Sequence, residues 1–364
     1  MPEPGAESDL RPLFFAVSSP GGTRLVTEAE LENRARSGDA AAQTGFAVLL
    51  DQRGLHAQAL DWLRRAAASG HTAAQYMLGA RLIVGRAAPF EPTEGAGFVL
   101  AAARQGMPEA LALMSLMATL SGDWTSAMRL LREAAARGHN LARQQLALLD
   151  DRARVDAAFW QAPPAPRWRS ESPRIGVVDG LLPKSCCDWI VPRARSKLEA
   201  VRVKDPAQGG GRQADYRSNT GAGFSFLDSD LVLQAANARV AALAQLPLAN
   251  QEPTNVLHYL SGEEYRPHHD FITRSQQNEA ELQACGQRAA TVLVYLNDNY
   301  EGGETEFPQL DLRFKGRAGD ALVFFNLTPA GEPDPRTLHA GLPPSRGEKW
   351  LYSKWIRQRA YPLQ

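Results

Sequence analysis

His268-His269-Asp270 and a distant His339 are the residues of this chain whose types and spacing could hold a metal ion. Two histidines and one carboxylate can occupy one face of Fe(II) and leave the opposite face open to exchangeable ligands. His268 and Asp270 stand at i and i+2. On a β-strand those side chains point to the same side, so one short strand would supply two ligands. That spacing selects His268 over His269. His339 would come from a second strand brought close by the fold. Any one of these histidines alone would be read as an ordinary hydrogen-bonded residue. The joint spacing points to metal.

The flanks of these residues carry further pattern. The first two lie in Tyr259-Leu260-Ser261-Gly262-Glu263-Glu264-Tyr265-Arg266-Pro267-His268-His269-Asp270-Phe271. Downstream come Arg288-Ala289-Ala290-Thr291-Val292-Leu293-Val294-Tyr295 and Gly302-Gly303-Glu304-Thr305-Glu306-Phe307-Pro308. Gly319-Asp320 precedes Phe324-Phe325, and Thr337-Leu338-His339-Ala340-Gly341 follows. Lys349 and Trp355 come after His339.

In this order, from about Ile175 to Arg359, these residues resemble the prolyl 4-hydroxylase family of Fe(II)/2-oxoglutarate dioxygenases. The resemblance implies His268, Asp270 and His339 as ligands of Fe(II), 2-oxoglutarate and O2 as co-substrates, and ascorbate as reductant. It implies Lys349 as partner of the far carboxylate of 2-oxoglutarate, a charge that is costly to bury unpaired. Tyr259 and Thr305 match positions that hydrogen-bond the same end. Tyr295 lies on a strand expected to face inward. Arg288 and Trp355 match positions on the substrate side, with a structural ion pair as the other reading of Arg288. The segments Asp205–Arg212 and Gln276–Cys285 are read as loops that close over a peptide. His258 has the opposite strand facing to Tyr259 and is read as structural. His56, His71 and His139 are read as surface or repeat-turn residues.

The elements that must position these residues occupy the second half of the chain. Ile175–Val178 reads as a strand, and Pro183–Leu198 and Asp230–Gln245 as helices. Strands are expected at Thr254–Leu260, Tyr265–Phe271, Thr291–Leu296, Ala321–Phe325 and Lys349–Arg357. Many short strands after a few helices predict a double-stranded β-helix, or jelly-roll, barrel with supporting helices.

The first half reads differently. Gly38, Gly70, Gly106 and Gly138 recur at spacings of 32, 36 and 32 residues, each beside an Ala-rich segment. Apolar residues at helical spacing run between them, as in Ala59-Leu60-Asp61-Trp62-Leu63. Each glycine ends one helix and the alanines start the next. The pattern resembles Sel1-like repeats, relatives of the tetratricopeptide repeat. It carries an insertion in the third unit around Ala87–Pro92. The fold class is thus an all-α helical-repeat solenoid followed by the barrel. The expected boundaries are an N-terminal extension over 1–30, repeats over 31–150, a proline-rich linker over 151–173 and the dioxygenase domain over 174–364.

Composition sets bounds on function. The chain has 364 residues, with 40 basic and 40 acidic side chains. This balance gives no bulk field for a nucleic acid or an anionic membrane surface. The N-terminus lacks a secretory pattern and no stretch reaches membrane-span length, so a cytoplasmic protein is expected. Three cysteines make no disulfide framework. Cys186 and Cys187 fall on an expected helix and Cys285 in a loop-like stretch.

Three functions fit this reading. The first is hydroxylation of a prolyl residue in a protein or peptide, with the repeats recruiting the partner. The second keeps the chemistry on a free amino acid, another side chain or a small metabolite. The third is a binding scaffold with a retired barrel, against which the intact ligand set and Lys349 argue.

Overall fold

The computed structural model describes residues 14–19, 22–149, 162–200, 203–204, 211–212 and 217–362. By packing, the chain divides into two compact units, 1–114 with 133–139, and 115–132 with 140–364.

Strands β1 (Phe14–Ser19) and β2 (Gly22–Thr27) form an antiparallel hairpin. The helices that follow are α1 (Glu28–Arg36), α2 (Ala40–Gln52), α3 (His56–Ala68), α4 (Thr72–Val84), α5 (Pro92–Arg104), α6 (Pro108–Leu120), α7 (Trp124–Ala136) and α8 (Asn140–Leu149). The repeat glycines act as expected. Gly38, Gly70, Gly106 and Gly138 all have positive φ. After each, the next N–H reaches back to a carbonyl of the last turn, as from Asp39 to Arg34 and His71 to Ala66. Leu31, Phe46, Leu63, Leu78 and Leu82 form the core of the first unit. The alanines allow close approach, but the tightest crossing belongs to glycines. A Cβ on Gly79 would lie 2.6 Å from the Gly95 carbonyl oxygen, and one on Gly95 would lie 2.7 Å from that of Gly79. The insertion in the third unit is the turn that carries the chain from Gly85 to Pro92 at the first turn of α5.

The barrel elements follow in chain order. They are β3 (Arg167–Glu171), β4 (Arg174–Val178), α9 (Lys184–Arg195), β5 (Glu199–Ala200), β6 (Val203–Lys204), β7 (Gly211–Arg212), β8 (Thr220–Phe224) and α10 (Leu231–Ala244). Then come β9 (Thr254–Tyr259), β10 (Tyr265–His268), α11 (Glu279–Cys285), β11 (Arg288–Tyr295), β12 (Glu301–Gly302), β13 (Thr305–Phe307) and β14 (Leu312–Phe314). The last are β15 (Ala321–Phe325), β16 (His339–Gly341), β17 (Pro344–Arg346) and β18 (Lys349–Arg357). The major sheet has the order β3-β4-β15-β11-β18-β9-β8-β5, and the minor sheet β10-β16-β13-β14. Pairing is antiparallel throughout both. This is the expected jelly roll behind a helical repeat.

Some details differ from the sequence reading. Arg167–Glu171, inside the proline-rich stretch, is the edge strand of the major sheet, because Trp168 packs beside Phe325 with the Arg174 guanidinium over both rings. Cys285 is not in a loop. It ends α11 and is buried, where it serves as a small apolar side chain. Cys186 and Cys187 lie on α9 and are buried as well. Burial pushes both thiols up to about 12.

Candidate active site

The candidate ligands come from edge strand β10 and its neighbour β16 in the minor sheet, and from one residue just beyond β10. His268 ends β10 and His339 begins β16, directly opposite in register. Their ring centroids are 4.3 Å apart. Asp270 lies past the end of β10, so a bend in the chain, not the strand pleat, turns its carboxylate toward both rings. His268 Nε2 is 3.6 Å from Asp270 Oδ1, and His339 Nε2 is 3.6 Å from Asp270 Oδ2. One ligand atom from each of the three residues lies within 4.8 Å of the others.

Each ring is locked by its other nitrogen. Nδ1 of His268 donates to the carbonyl of Arg266 and Nδ1 of His339 to that of Thr337, both at 2.9 Å. That assignment leaves each Nε2 as a lone pair facing the carboxylate, the tautomer a metal needs. His268 stacks on Tyr265, and His339 is flanked by Phe307 and Phe324. Burial, helped by His339, pushes His268 down to about 3. For Asp270, burial acts upward, but His339, His268, Arg288 and Thr291 outweigh it and hold the carboxyl below its usual range. Thr291 Oγ donates to Asp270 Oδ2 at 2.7 Å, which orients the carboxylate. His269 faces elsewhere: its Nε2 bonds the Pro335 carbonyl oxygen and its ring stacks on Phe271.

Lys349 opens β18 beside Tyr259 on β9. It is fully buried, and its Nζ has no hydrogen-bond partner among the described residues. Burial pushes the amine down to about 7, with Lys315 adding to that effect and Glu304 opposing it. Tyr259 and Tyr295 present their rings to Nζ at 4.9 and 5.7 Å. Tyr295 faces inward, and its hydroxyl meets Thr305 Oγ at 2.8 Å and the Phe314 carbonyl at 2.9 Å. A buried amine unpaired among the described residues, facing the rings of Tyr259 and Tyr295, is what a carboxylate-bearing co-substrate would satisfy.

Arg288 is engaged in the protein. Its guanidinium makes a two-pronged pair with Glu252 at 2.7 and 2.9 Å, and reaches the Asp270 carbonyl at 3.3 Å. It also lies 3.5 Å from the centroid of the Trp355 ring. Trp355 lines the cavity over the triad, and its indole N–H is buried without an acceptor among the described residues. His258 is structural as expected, bonded to Thr220 and Glu348 and packed on Trp350. In the 276–285 segment, 279–285 is helical and held by Arg359, which donates to the carbonyls of Leu282, Gln283 and Ala284. Residues 205–210 of the other expected loop lie outside the described residues, and Gly211–Arg212 pairs with Val203–Lys204.

Two cavity residues escaped the sequence reading. Arg217 is buried, lies 4.1 Å from the centroid of the Tyr265 ring and is anchored by Asn219. Tyr265 sits between Arg217 and His268. Tyr265 stands in the quoted motif, three residues before His268; strict alternation would face it the other way, and the register shift on β10 between the two is what lets the rings stack. Arg217 comes from a distant segment with no local signal.

Comparisons with known proteins decide the family. Residues 254–357 match the model of the 2OG-Fe(II) oxygenase superfamily. Prolyl 4-hydroxylase 1 of Arabidopsis thaliana is 35% identical over 205 residues, which span 52% of this chain and 71% of that protein. The chain belongs to the prolyl 4-hydroxylase family. It is a 2-oxoglutarate-dependent dioxygenase, and its family works with Fe(II), 2-oxoglutarate and O2. A viral collagen prolyl hydroxylase from Paramecium Bursaria Chlorella virus-1 is similar at 26% identity and a TM-score of 0.40, covering 50% of this chain and 95% of that one. A Sel1 repeat protein from Oxalobacter formigenes is similar at 30% identity and a TM-score of 0.29, covering 33% and 96%. Among the described residues of this prolyl 4-hydroxylase family member, no helix is long and apolar enough to cross a membrane.

Proposed function

We propose that this chain hydroxylates a prolyl residue of a protein or peptide, using Fe(II) held by His268, Asp270 and His339. The observation that carries the reading is the pair of Nε2 atoms converging on the Asp270 carboxylate, each with Nδ1 committed to a backbone carbonyl. Lys349 pairs the far carboxylate of 2-oxoglutarate, lined by Tyr259, Thr305 and Tyr295. When bound, iron and co-substrate supply the oxidation that converts a C–H into a C–OH. The protein's part is to hold the ligands, orient Asp270 through Thr291, and present the target carbon. Arg288 serves by bracing Asp270 and by carrying Trp355, which forms the substrate-side wall. Ascorbate would be the reductant that keeps the bound iron ferrous. The helical repeats, assigned to 31–150 with the proline-rich stretch at 151–173 and the catalytic domain at 174–364, recruit the protein that carries the target. The setting is cytoplasmic.

The test is anaerobic titration of apo protein with Fe(II) and then 2-oxoglutarate, following the weak visible charge-transfer band of the chelate. The band should form in the native chain, vanish in His268→Ala, and need far more 2-oxoglutarate in Lys349→Ala. Folded, iron-loaded protein without a band would remove the co-substrate assignment. Hydroxyproline in a trapped partner would support the protein substrate. Turnover confined to free amino acids would move the reading to the small-molecule alternative.

A further inference from the structure

Thr291 on β11 stands between the candidate ligand Asp270 and Asn326, a residue one position past the end of β15 that does not line the cavity over the triad. The two strands are neighbours in the major sheet, with Thr291 opposite Phe324 and Ala290 opposite Phe325. Thr291 and Asn326 are both fully buried. Asn326 Nδ2 donates to Thr291 Oγ at 3.0 Å, and Thr291 Oγ donates to Asp270 Oδ2 at 2.7 Å. The two bonds make one line that ends on the carboxylate.

The direction of that line follows from what each group can give and take. A ligand carboxylate can only accept, and a threonine hydroxyl has one hydrogen to donate. Thr291 gives it to Asp270, so a second partner at Thr291 has to be a donor. This places the amide nitrogen of Asn326 there and not its oxygen. An acceptor at that position would compete for the hydroxyl hydrogen and turn it away from Asp270. Asn326 Oδ1 is buried with no donor among the described residues. Among those residues, the hydrogen bond of the side chain is the one to Thr291.

The backbone of Asn326 is fixed on both sides. Its N–H donates to the Ala289 carbonyl, and its carbonyl accepts the N–H of Asp334, each at 2.9 Å. The Asp334 carbonyl in turn accepts from the Thr337 N–H at 3.1 Å and from Thr337 Oγ at 2.8 Å. Thr337 is the residue whose carbonyl holds Nδ1 of His339. Asn326 is thus tied to β11 and to the turn that carries His339, and its amide reaches Thr291 from a fixed point.

We propose that Asn326 is a positioning residue of the metal site. Its amide locks the Thr291 hydroxyl toward Asp270 and so keeps the carboxylate aimed between the two histidines. The inference rests on the reading of Asp270 as an iron ligand. Hydrogen bonds in a line polarise one another, so loss of the outer one weakens the inner one.

The test is optical titration of the full apo chain with Co(II), without co-substrate, reading the d–d bands and the Kd. Thr291→Val should weaken Co(II) by about tenfold or more, the usual effect of losing a group that orients a ligand. Thr291→Ser, which keeps the hydroxyl, should stay near native. Asn326→Leu removes the donor and should weaken Co(II) by about 3- to 10-fold, the worth of one hydrogen bond. The decisive readout is Asn326→Leu combined with Thr291→Val. Because Asn326 acts through Thr291, the double variant should bind no more weakly than Thr291→Val alone. Losses that multiply would mean that Asn326 only packs the strand, and would overturn the proposal. Native binding in Thr291→Val or in Asn326→Leu would overturn it as well. If Asn326→Leu does not fold, Asn326→Ala takes its place in the same cycle. Asp270→Ala separates this inference from the reading beneath it. Native Co(II) binding in Asp270→Ala would remove the ligand assignment and the positioning role together. Lost binding in Asp270→Ala with native binding in the Asn326 variant would overturn the positioning role alone.

Discussion

At the scale of single residues, the contrast between His268 and His269 is decided by one hydrogen bond each. His268 gives Nδ1 to a carbonyl and turns Nε2 to Asp270, whereas His269 spends Nε2 on Pro335. Replacing His268, Asp270 or His339 by Ala should therefore lower iron affinity and turnover by at least about 10²-fold, whereas His269→Ala should keep bound iron. Iron content after gel filtration and succinate release check this; equal losses at His268 and His269 would refute the assignment. Lys349 carries a second prediction. Burial holds its amine at about 7, so near pH 8 it is mostly neutral without co-substrate. A bound carboxylate favours the charged form and raises the amine toward its usual range. Binding of 2-oxoglutarate near pH 8 should then take up close to one proton, and near pH 6 almost none. Calorimetry in two buffers of different ionisation heat measures this uptake. No uptake near pH 8 would mean that the carboxylate does not meet Lys349.

At the scale of elements, periodicity recovered most strands and helices within a few residues, because the burial alternation that defines them is local. β15 and β18 fall where the sequence places them, at Ala321–Phe325 and Lys349–Arg357. β10 is shorter than expected because the chain bends after His268 to bring Asp270 inward. Edge strand β3 was hidden by neighbouring prolines. The crossing of α4 and α5 was hidden too, since nothing local marks Gly79 and Gly95 as partners. Gly79→Val would force its Cβ into the Gly95 carbonyl and Val99. It should destabilise the first unit by about 2–4 kcal/mol. Urea unfolding checks this, and a loss under about 0.5 kcal/mol would show that the helices part freely.

At the scale of the whole molecule, the compact unit that holds the barrel also includes residues 115–132 and 140–149 of the helical array. Gln145 on α8 accepts the N–H of Leu231, an otherwise unpaired donor in the first turn of α10. A chain lacking residues 1–161 should thus melt its barrel at a lower Tm than the full chain in calorimetry; an equal Tm would make the helices dispensable. The sequence by itself determined the chemistry available: the H-x-D spacing, a distal histidine, a lysine after it, and the helical repeat. Those signals are legible because ligand type and strand or helix period are local properties. Only the tertiary structure decided how Asp270 is aimed, which charge Arg288 answers, and that Arg217 reaches the cavity. It alone left the Lys349 amine without a hydrogen-bond partner among the described residues. These depend on groups far apart in the chain meeting in a buried, low-dielectric space, where an unpaired charge is costly and contacts, not spacing, set the outcome.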